Sequence, residues 1–317
     1  MKIKIIHRLK MSKTVLKIGT RESPLALIQT KIVCDKLTAL YADLVFEIVP
    51  LKTTGDKILD KKLSAIGGKG LFTKELEEAL LRKEIDIAVH SMKDMPTTQP
   101  PGLRIIGVLE REDPRDVLVS KEKCSLQDLP AGSVVGTSSL RREAQLLRHR
   151  PDLKIVPIRG NVQTRLRKME EGHAEATIMA LAGLKRLGIE TVASHIFSVD
   201  EMIPAVGQGI ICIEGLEDDE WTLNLITPLT HAETEVCLKA ERAFLKAVDG
   251  SCRTPIGGYA DMKGGQIHLR GFISHPGGEN PVILSLTGEM EHAEELGITL
   301  ANHSLNQANA HKDTSSF

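Results

Sequence analysis

The chain has 317 residues, 41% of them hydrophobic and 26% charged, and its 41 lysines and arginines against 42 carboxylates give a formal net charge of −1. Aromatic residues make up 3%, too few for the stacking platforms of single-stranded nucleic-acid binders, and the near-neutral balance speaks against a general nucleic-acid binder. The basic start MKIKIIHRLKMSK lacks the apolar run of a secretory signal, and no stretch nears the ~20 apolar residues of a membrane span, so a cytoplasmic protein is expected.

Residues 1–12 read as an extension ahead of the first strand, VLKIG (15–19). Ser23-Pro24 is a cap and first-turn pair, after which apolar positions 25, 28, 32, 33, 37 and 40 keep helical spacing. FEIVPL (46–51) is the next strand. GGKGLFTKE (67–75) is glycine-rich without phosphate-loop spacing, which fits a mobile lid or a plain helix-start loop. LFTKELEEALLRKE (71–84) reads as a helix, and IDIAVHS (85–91) and RIIGVLE (104–110) as strands. In HSMKDMP, Asp94 stands two residues before a proline and is expected in an extended or turn conformation. It is either a salt-bridged turn residue or a carboxylate that stabilises a cation or passes a proton.

The polar EREDPRD (110–116) suits a hinge, and the pattern then restarts. VLVS (117–120) and SVVG (133–136) are strand-like, SLRREAQLLRHR (139–150) is helical, and LKIVPI (153–158) is a strand. Asn161 caps a helix through Met169, and ATIMAL (176–181) follows as a strand. PAVGQGIICIEG (204–215) reads as a buried strand rejoining the first series. A helix with apolar positions 236, 240, 243, 244 and 247 leads to GSCRTPIGG, then to strand-like IHLRGFI (267–273) and PVILSLTG (281–288) and a helix from about 293. The polar tail from His303 is expected to fray. Alternating strands and helices followed by an α+β segment imply an α/β protein with a smaller C-terminal unit. The expected domains are 13–110 with 204–228, 111–203, and 229–317.

Charge is local where it is not global. From Arg141 to Arg167 eight cations face only Glu143 and Asp152, a net +6 in 27 residues. Arg21, Lys93, Arg141, Arg142, Arg159 and Arg165 all fall at strand-to-helix junctions, where ligands of open α/β sheets bind and helix N-termini favour anions. Arginine forks bind carboxylates through paired hydrogen bonds, so the set makes a cleft for several carboxylates or phosphates, or else a solvated surface. Arg148 and Arg150, far along their helix, are the bystanders. Five cysteines without C-x-x-C spacing indicate neither disulfides nor zinc, and no metal is expected. Cys34, Cys212 and Cys237 sit in periodic segments and read as packed hydrophobes. Cys124 sits in the charged loop KEKC, and Cys252, in the turn DGSCRTP, is a structural residue or a reachable thiolate with a covalent role.

In order along the chain, GTRESPLAL, GGKGLFTKELE, VHSMKDMPT, EREDPRD, GTSSLRR, IRGNVQTRL, AGLKRLG, PAVGQG and AERAFL…GSCRTPIGGYA resemble porphobilinogen deaminase (hydroxymethylbilane synthase), from about Val15 to Leu305. The resemblance implies two periplasmic-binding-protein-like α/β domains plus a smaller C-terminal α+β domain. It implies a transferase of haem (tetrapyrrole) biosynthesis that joins four porphobilinogens head to tail with loss of ammonia. The chain grows on a covalent dipyrromethane cofactor, and hydroxymethylbilane is released by hydrolysis. By the same resemblance Cys252 carries the cofactor as a thioether, and Asp94 supports loss of ammonia and stabilises the azafulvene cation. Lys93, Ser139, Arg141 and Arg142 bind the cofactor's carboxylates. Arg21, Ser23, Gln29, Arg159, Arg165 and Arg186 hold the incoming or growing chain, with Gln208 a weaker match, and Lys69 belongs to the active-site lid. A cytoplasmic monomer with no nucleic-acid or membrane partner is implied.

Three positions depart from the family's pattern: Ala65 where a lysine is common, and Ser251 and Arg253 around the cysteine. Two other classes compete for the arginines. A solute-binding module explains them but not Cys252 or Asp94, and a nucleic-acid segment at 141–167 predicts steep salt dependence.

Overall fold

The computed structural model describes residues 14–57, 70–248 and 254–314. Its first strand, β1 (Val15–Arg21), runs into α1 (Pro24–Leu40), whose N-cap Ser23 accepts a hydrogen bond from Ala26 N (3.3 Å). β2 (Val45–Leu51), the short α2 (Thr54–Lys57), α3 (Lys74–Leu81), β3 (Ile87–Ser91) and β4 (Leu103–Val108) complete the first series. Helix α3 is shorter than the apolar pattern over 71–84 implies.

The second series is β5 (Asp116–Ser120), β6 (Val134–Gly136), α4 (Leu140–His149), β7 (Lys154–Val156), α5 (Val162–Glu170), β8 (Ala176–Ala180), α6 (Leu181–Arg186) and β9 (His195–Ile196). The chain then returns through β10 (Ile211–Leu216) and α7 (Glu220–Ile226). The third series is α8 (Ala232–Ala247), β11 (Ile256–Lys263), β12 (Gln266–Ile273), β13 (Val282–Gly288) and α9 (Ala293–Thr314).

The first sheet has the order β2-β1-β3-β10-β4 and the second β7-β6-β8-β5-β9. The two follow one plan. Three neighbouring strands are parallel, and the fourth lies antiparallel between them and the outermost strand. In each sheet the antiparallel strand, β10 or β5, is the one that arrives from the other lobe. Each sheet buries an apolar core, built on Leu16, Ile18, Ile87 and Ile213 in one and on Leu118, Val135, Ile178 and Phe197 in the other. The antiparallel third sheet, β11-β12-β13, packs on α8 and α9 around Phe244, Leu269 and Leu300.

Two sequence expectations are corrected here. Residues 204–210 are not strand: Gly207 and Gly209 take φ values of 71° and 89°, and the strand begins only at Ile211. At Gly209 a Cβ would lie 2.2 Å from the Glu112 carbonyl, because the two interlobe segments cross there. The polar tail does not fray at His303: α9 continues to Thr314, its Leu305 and Ala308 packing onto the third core.

Candidate active site

The carboxyl ends of β1 and β3 and the N-termini of α4 and α5 face one another across the two lobes. Arg21 closes β1. Its Nε donates to Asp56 Oδ2 (3.2 Å), its Nη2 donates to Asp56 Oδ1, and its Nη1 stands 3.8 Å from Asp94 Oδ2. The guanidinium lies 4.3 Å from the centre of the Phe72 ring. Ser23 is spent on capping α1. Gln29 is buried, and its Nε2 donates to Ser91 Oγ (2.9 Å), tying α1 to the last residue of β3.

After Ser91 the chain makes a single 3-10 turn, Met92–Asp94. Asp94 is therefore in a turn, and the extended conformation forced by Pro96 falls on Met95 (φ −77°, ψ 136°). Met92 N donates to the Ile210 carbonyl (3.0 Å), and Arg242 Nη2 on α8 donates to the Pro96 and Thr97 carbonyls (both 2.9 Å). The Asp94 turn is thus held from both sides.

Across the cleft Ser139 caps α4, its Oγ accepting from Arg142 N (3.4 Å). The next two arginines turn inward and are 6% and 4% exposed. Arg141 Nη1 donates to Asp116 Oδ2 (2.7 Å) and the Ile203 carbonyl (2.8 Å). Arg142 donates through Nε (3.0 Å) and Nη2 (2.7 Å) to Asp116 Oδ1, and through Nη1 to the Ile178 carbonyl (2.9 Å). Gln208 Nε2 also donates to Asp116 Oδ1 (3.1 Å), while its buried Oε1 has no partner among the described residues. Arg159 is buried just after β7. Arg165 Nε donates to the Gly160 carbonyl (2.9 Å); Gly160 has φ 115°, and a Cβ there would lie 2.5 Å from Thr164 Cγ2. Arg186, at the end of α6, donates to the Gly209 carbonyl (2.6 Å) and so links the second lobe to the returning segment.

The electrostatics follow from this crowding. Burial would raise the Asp116 pKa, but the charges and hydrogen bonds of Arg141 and Arg142 outweigh it and hold the carboxyl far below its ordinary range. Burial, aided by Arg142, draws Arg141 down while Asp116 opposes; a guanidinium keeps its proton even so, and the trio is net +1. Lys93 is pushed down to about 8, first by loss of bulk water in the cleft and then by Arg142 and Arg165, with Asp94 and Asp116 opposing. Lys93 still has accessible surface, so water screens part of that shift. Arg165 falls to about 10 through burial and the charges of Arg142 and Arg159, against Asp94. Arg186 falls to about 10 through burial, against Glu112. Lys93 and Arg165, drawn down by burial and then by neighbouring arginines, mark a site short of negative charge, and a multiply carboxylated ligand relieves the repulsion.

The site therefore gathers Arg21, Lys93, Asp94, Ser139, Arg141, Arg142, Arg159 and Arg165, with Gln29 and Ser23 behind it and Arg186 at its edge. Cys252 and Lys69 lie outside the described residues, as do Ala65, Ser251 and Arg253. Burial, the leading cause in each case, raises the thiols of Cys34 to about 11 and Cys237 to about 12, and Cys212 is fully buried, so these three are poor nucleophiles. Sequence reasoning missed Asp116 and Asp56. The first ends EREDPRD, read only as a hinge, and the second sits in TTGDK; neither lies near its arginine in sequence. Arg150 is no idle bystander either, since its Nη1 donates to the carbonyls of Leu126 (2.9 Å), Gln127 (3.2 Å) and Leu129 (3.1 Å).

A family model described as porphobilinogen deaminase, dipyromethane cofactor binding domain, matches residues 16–224, and one for the C-terminal domain of porphobilinogen deaminase matches 235–306. The porphobilinogen deaminase of Syntrophomonas wolfei is 50% identical over 295 residues, 93% of this chain and 96% of that protein. That of Chloroherpeton thalassium is 48% identical over 294 residues, 92% of this chain and 94% of that protein. Among solved structures, an arginine-specific periplasmic binding protein of Salmonella typhimurium aligns at 14% identity and a TM-score of 0.40, over 68% of this chain and 92% of that one.

Proposed function

Because the chain belongs to the porphobilinogen deaminase family, we propose that its interlobe cleft divides into a cofactor side and a substrate side meeting at Asp94. The enzyme is a hydroxymethylbilane synthase, a transferase of tetrapyrrole biosynthesis. It condenses four porphobilinogens head to tail and carries dipyrromethane. When bound, dipyrromethane supplies the pyrrole end from which the product is extended. Lys93, Ser139, Arg141 and Arg142 hold its carboxylates, with Cys252 as the point of attachment. A mutually repelling set of cations fits a group bearing several carboxylates.

Arg21, Arg159, Arg165 and Arg186 hold the acetate and propionate of incoming porphobilinogen, with Ser23 and Gln29 shaping the strand ends that present them. Asp94 faces the same space from the first lobe. Each condensation breaks the aminomethyl C–N bond, releases one ammonia, forms one C–C bond and returns one proton. Asp94 stabilises the positive charge left on the substrate carbon as ammonia departs and accepts the proton lost from the pyrrole ring. Lys69, outside the described residues, is assigned to the active-site lid by the family resemblance alone.

The observation that carries this reading is the 3.8 Å approach of Asp94 to Arg21 at the mouth of the Lys93–Arg142–Arg165 cluster. Among the described residues no helix is long and apolar enough to cross a membrane. The finer expectations, a cytoplasmic monomer without a nucleic-acid partner, rest on the family resemblance. Intact-protein mass spectrometry tests the cofactor assignment. The purified protein should exceed its sequence mass by a covalent dipyrrole, absent in Cys252→Ser, and an active enzyme of unmodified mass overturns it.

A further inference from the structure

Arg21, like Arg141 and Arg142 on the opposite wall, already has its charge answered by a carboxylate outside the reaction. Asp56 takes two of its donors, Nε and Nη2, and both side chains are largely enclosed, at 22% and 23% exposure. Asp56 is itself fixed. Thr53 Oγ1 donates to its Oδ2 (2.7 Å), its backbone N donates to the Thr53 carbonyl (3.0 Å), and the adjoining Gly55 N donates to the Leu71 carbonyl (2.7 Å). The Phe72 ring lies 4.3 Å from the guanidinium. Only Nη1 points on toward Asp94. A ligand carboxylate must therefore settle for that one edge of Arg21 or displace a carboxylate that cannot diffuse away.

We propose that Asp56 is a positioning residue that competes with the substrate's carboxylates for Arg21 and keeps that arginine's hold weak enough to be released as the chain lengthens. The inference rests on the reading of Arg21 as substrate-binding. Each added ring brings two more carboxylates, and a cleft that gripped every one at full strength would stall on its own intermediates. Binding that is tight in the ground state and unchanged in the transition state does not speed chemistry. A fixed competing anion lowers affinity without removing the directional fork.

The test is Asp56→Asn in the holoenzyme, which keeps the side chain's shape and an acceptor for Arg21 but removes the competing charge. KM for porphobilinogen should fall roughly fivefold, the scale of one partly screened ion pair. The single-turnover rate of the first addition at saturating substrate should be unchanged. Steady-state kcat should fall, with enzyme-bound oligopyrroles accumulating in the intact mass spectrum. Asp56→Glu should return KM toward wild type, and in an Arg21→Leu background Asp56→Asn should change neither parameter. A raised or unmoved KM in Asp56→Asn, with Arg21→Leu raising KM, overturns the proposal while leaving Arg21 as a substrate ligand. A normal KM in Arg21→Leu overturns the underlying reading instead. Loss of thermal stability in both Asp56 variants, with kcat and first-addition rate falling together, marks Asp56 as structural and also overturns the proposal.

Discussion

Arg142 sets two of its guanidinium nitrogens on one oxygen of Asp116, at 3.0 and 2.7 Å, with neither side chain open to solvent. The cleft's positive wall is therefore anchored by a carboxylate from the first residue of β5. Asp116→Asn leaves two buried arginines short of a counter-charge, and losing one partner of such a group costs about 3–5 kcal/mol. Thermal or urea unfolding of the apoprotein checks this. A loss below about 1 kcal/mol, the scale of a surface pair, contradicts the anchor. The sign with pH is fixed: Asp116 is held below its ordinary value, so its contribution is complete above about pH 4 and is lost only as pH falls below it.

The arginines divide by what they already touch. Arg142→Leu removes a partner of Asp116 and, on the proposed division of the cleft, a cofactor ligand as well, so the variant should be mostly apoprotein with a lowered Tm, since a ligand that binds only the folded state stabilises it. Arg159→Leu should leave near-normal cofactor occupancy but slow turnover. Equal occupancy in both, read from intact mass, contradicts the division.

Lys93 gives the cleft a pH dependence. Its pKa is drawn down to about 8 by loss of bulk water in the cleft and then by Arg142 and Arg165, a shift that water at its exposed surface screens in part. Between that value and the ordinary lysine value near ~10.4 the unfolded chain holds more protons than the folded one, so apoprotein stability rises with pH across this window. Anion binding behaves oppositely, because a carboxylate prefers protonated Lys93. Cofactor assembly by apoprotein should slow several-fold from about pH 7.5 to about pH 9.5. In Lys93→Arg, whose charge does not titrate there, the decline should flatten, and an equally steep decline in that variant excludes Lys93 as its source.

Asp94 is held by its turn, by Ile210 and by Arg242, so its carboxylate is placed before substrate arrives. Removing one well-placed group that stabilises developing charge costs ~10²–10³-fold in rate. Asp94→Ala and Asp94→Asn should lose about that much in single-turnover consumption of porphobilinogen, with occupancy verified by mass. Asp94→Glu keeps the charge but displaces it and should retain part of the rate. Near-normal turnover in Asp94→Ala would leave only the Arg21 ion pair as its role.

The strands that carry the site were legible because aliphatic runs ending in Gly-Thr or His-Ser stand out against polar junctions. Strand β11 was not. Its Gly257 and Gly258 lie where a Cβ would meet the Ile203 carbonyl at 2.9 Å and Val206 at 2.8 Å, so close packing removed the side chains that would have marked a strand. The tail of α9 hid for a related reason, since its Leu305 and Ala308 pack onto the third core amid polar residues. The net charge of 141–167 was read within a sequence window. Asp116 answers it across strands, 25 residues from Arg141, and no window of local charge contains that pairing. Asp56 escaped for the same reason, 35 residues from Arg21.

The sheet order also governs when this enzyme acquires its active site during synthesis. Among the described residues β4 has a single strand neighbour, β10, which also pairs with β3 and whose preceding Ile210 receives the Met92 amide. A chain emerging from the ribosome therefore makes β1 to β4 and the whole second lobe before the strand that completes the first sheet exists. Until residues 210–216 appear, β4 is an unpaired ribbon and the Asp94 turn lacks its backbone partner. Domains normally fold in the order they are made. Here the first lobe to begin must finish after the second, and the Asp94 carboxylate gains its backbone anchor only after the second lobe has been made.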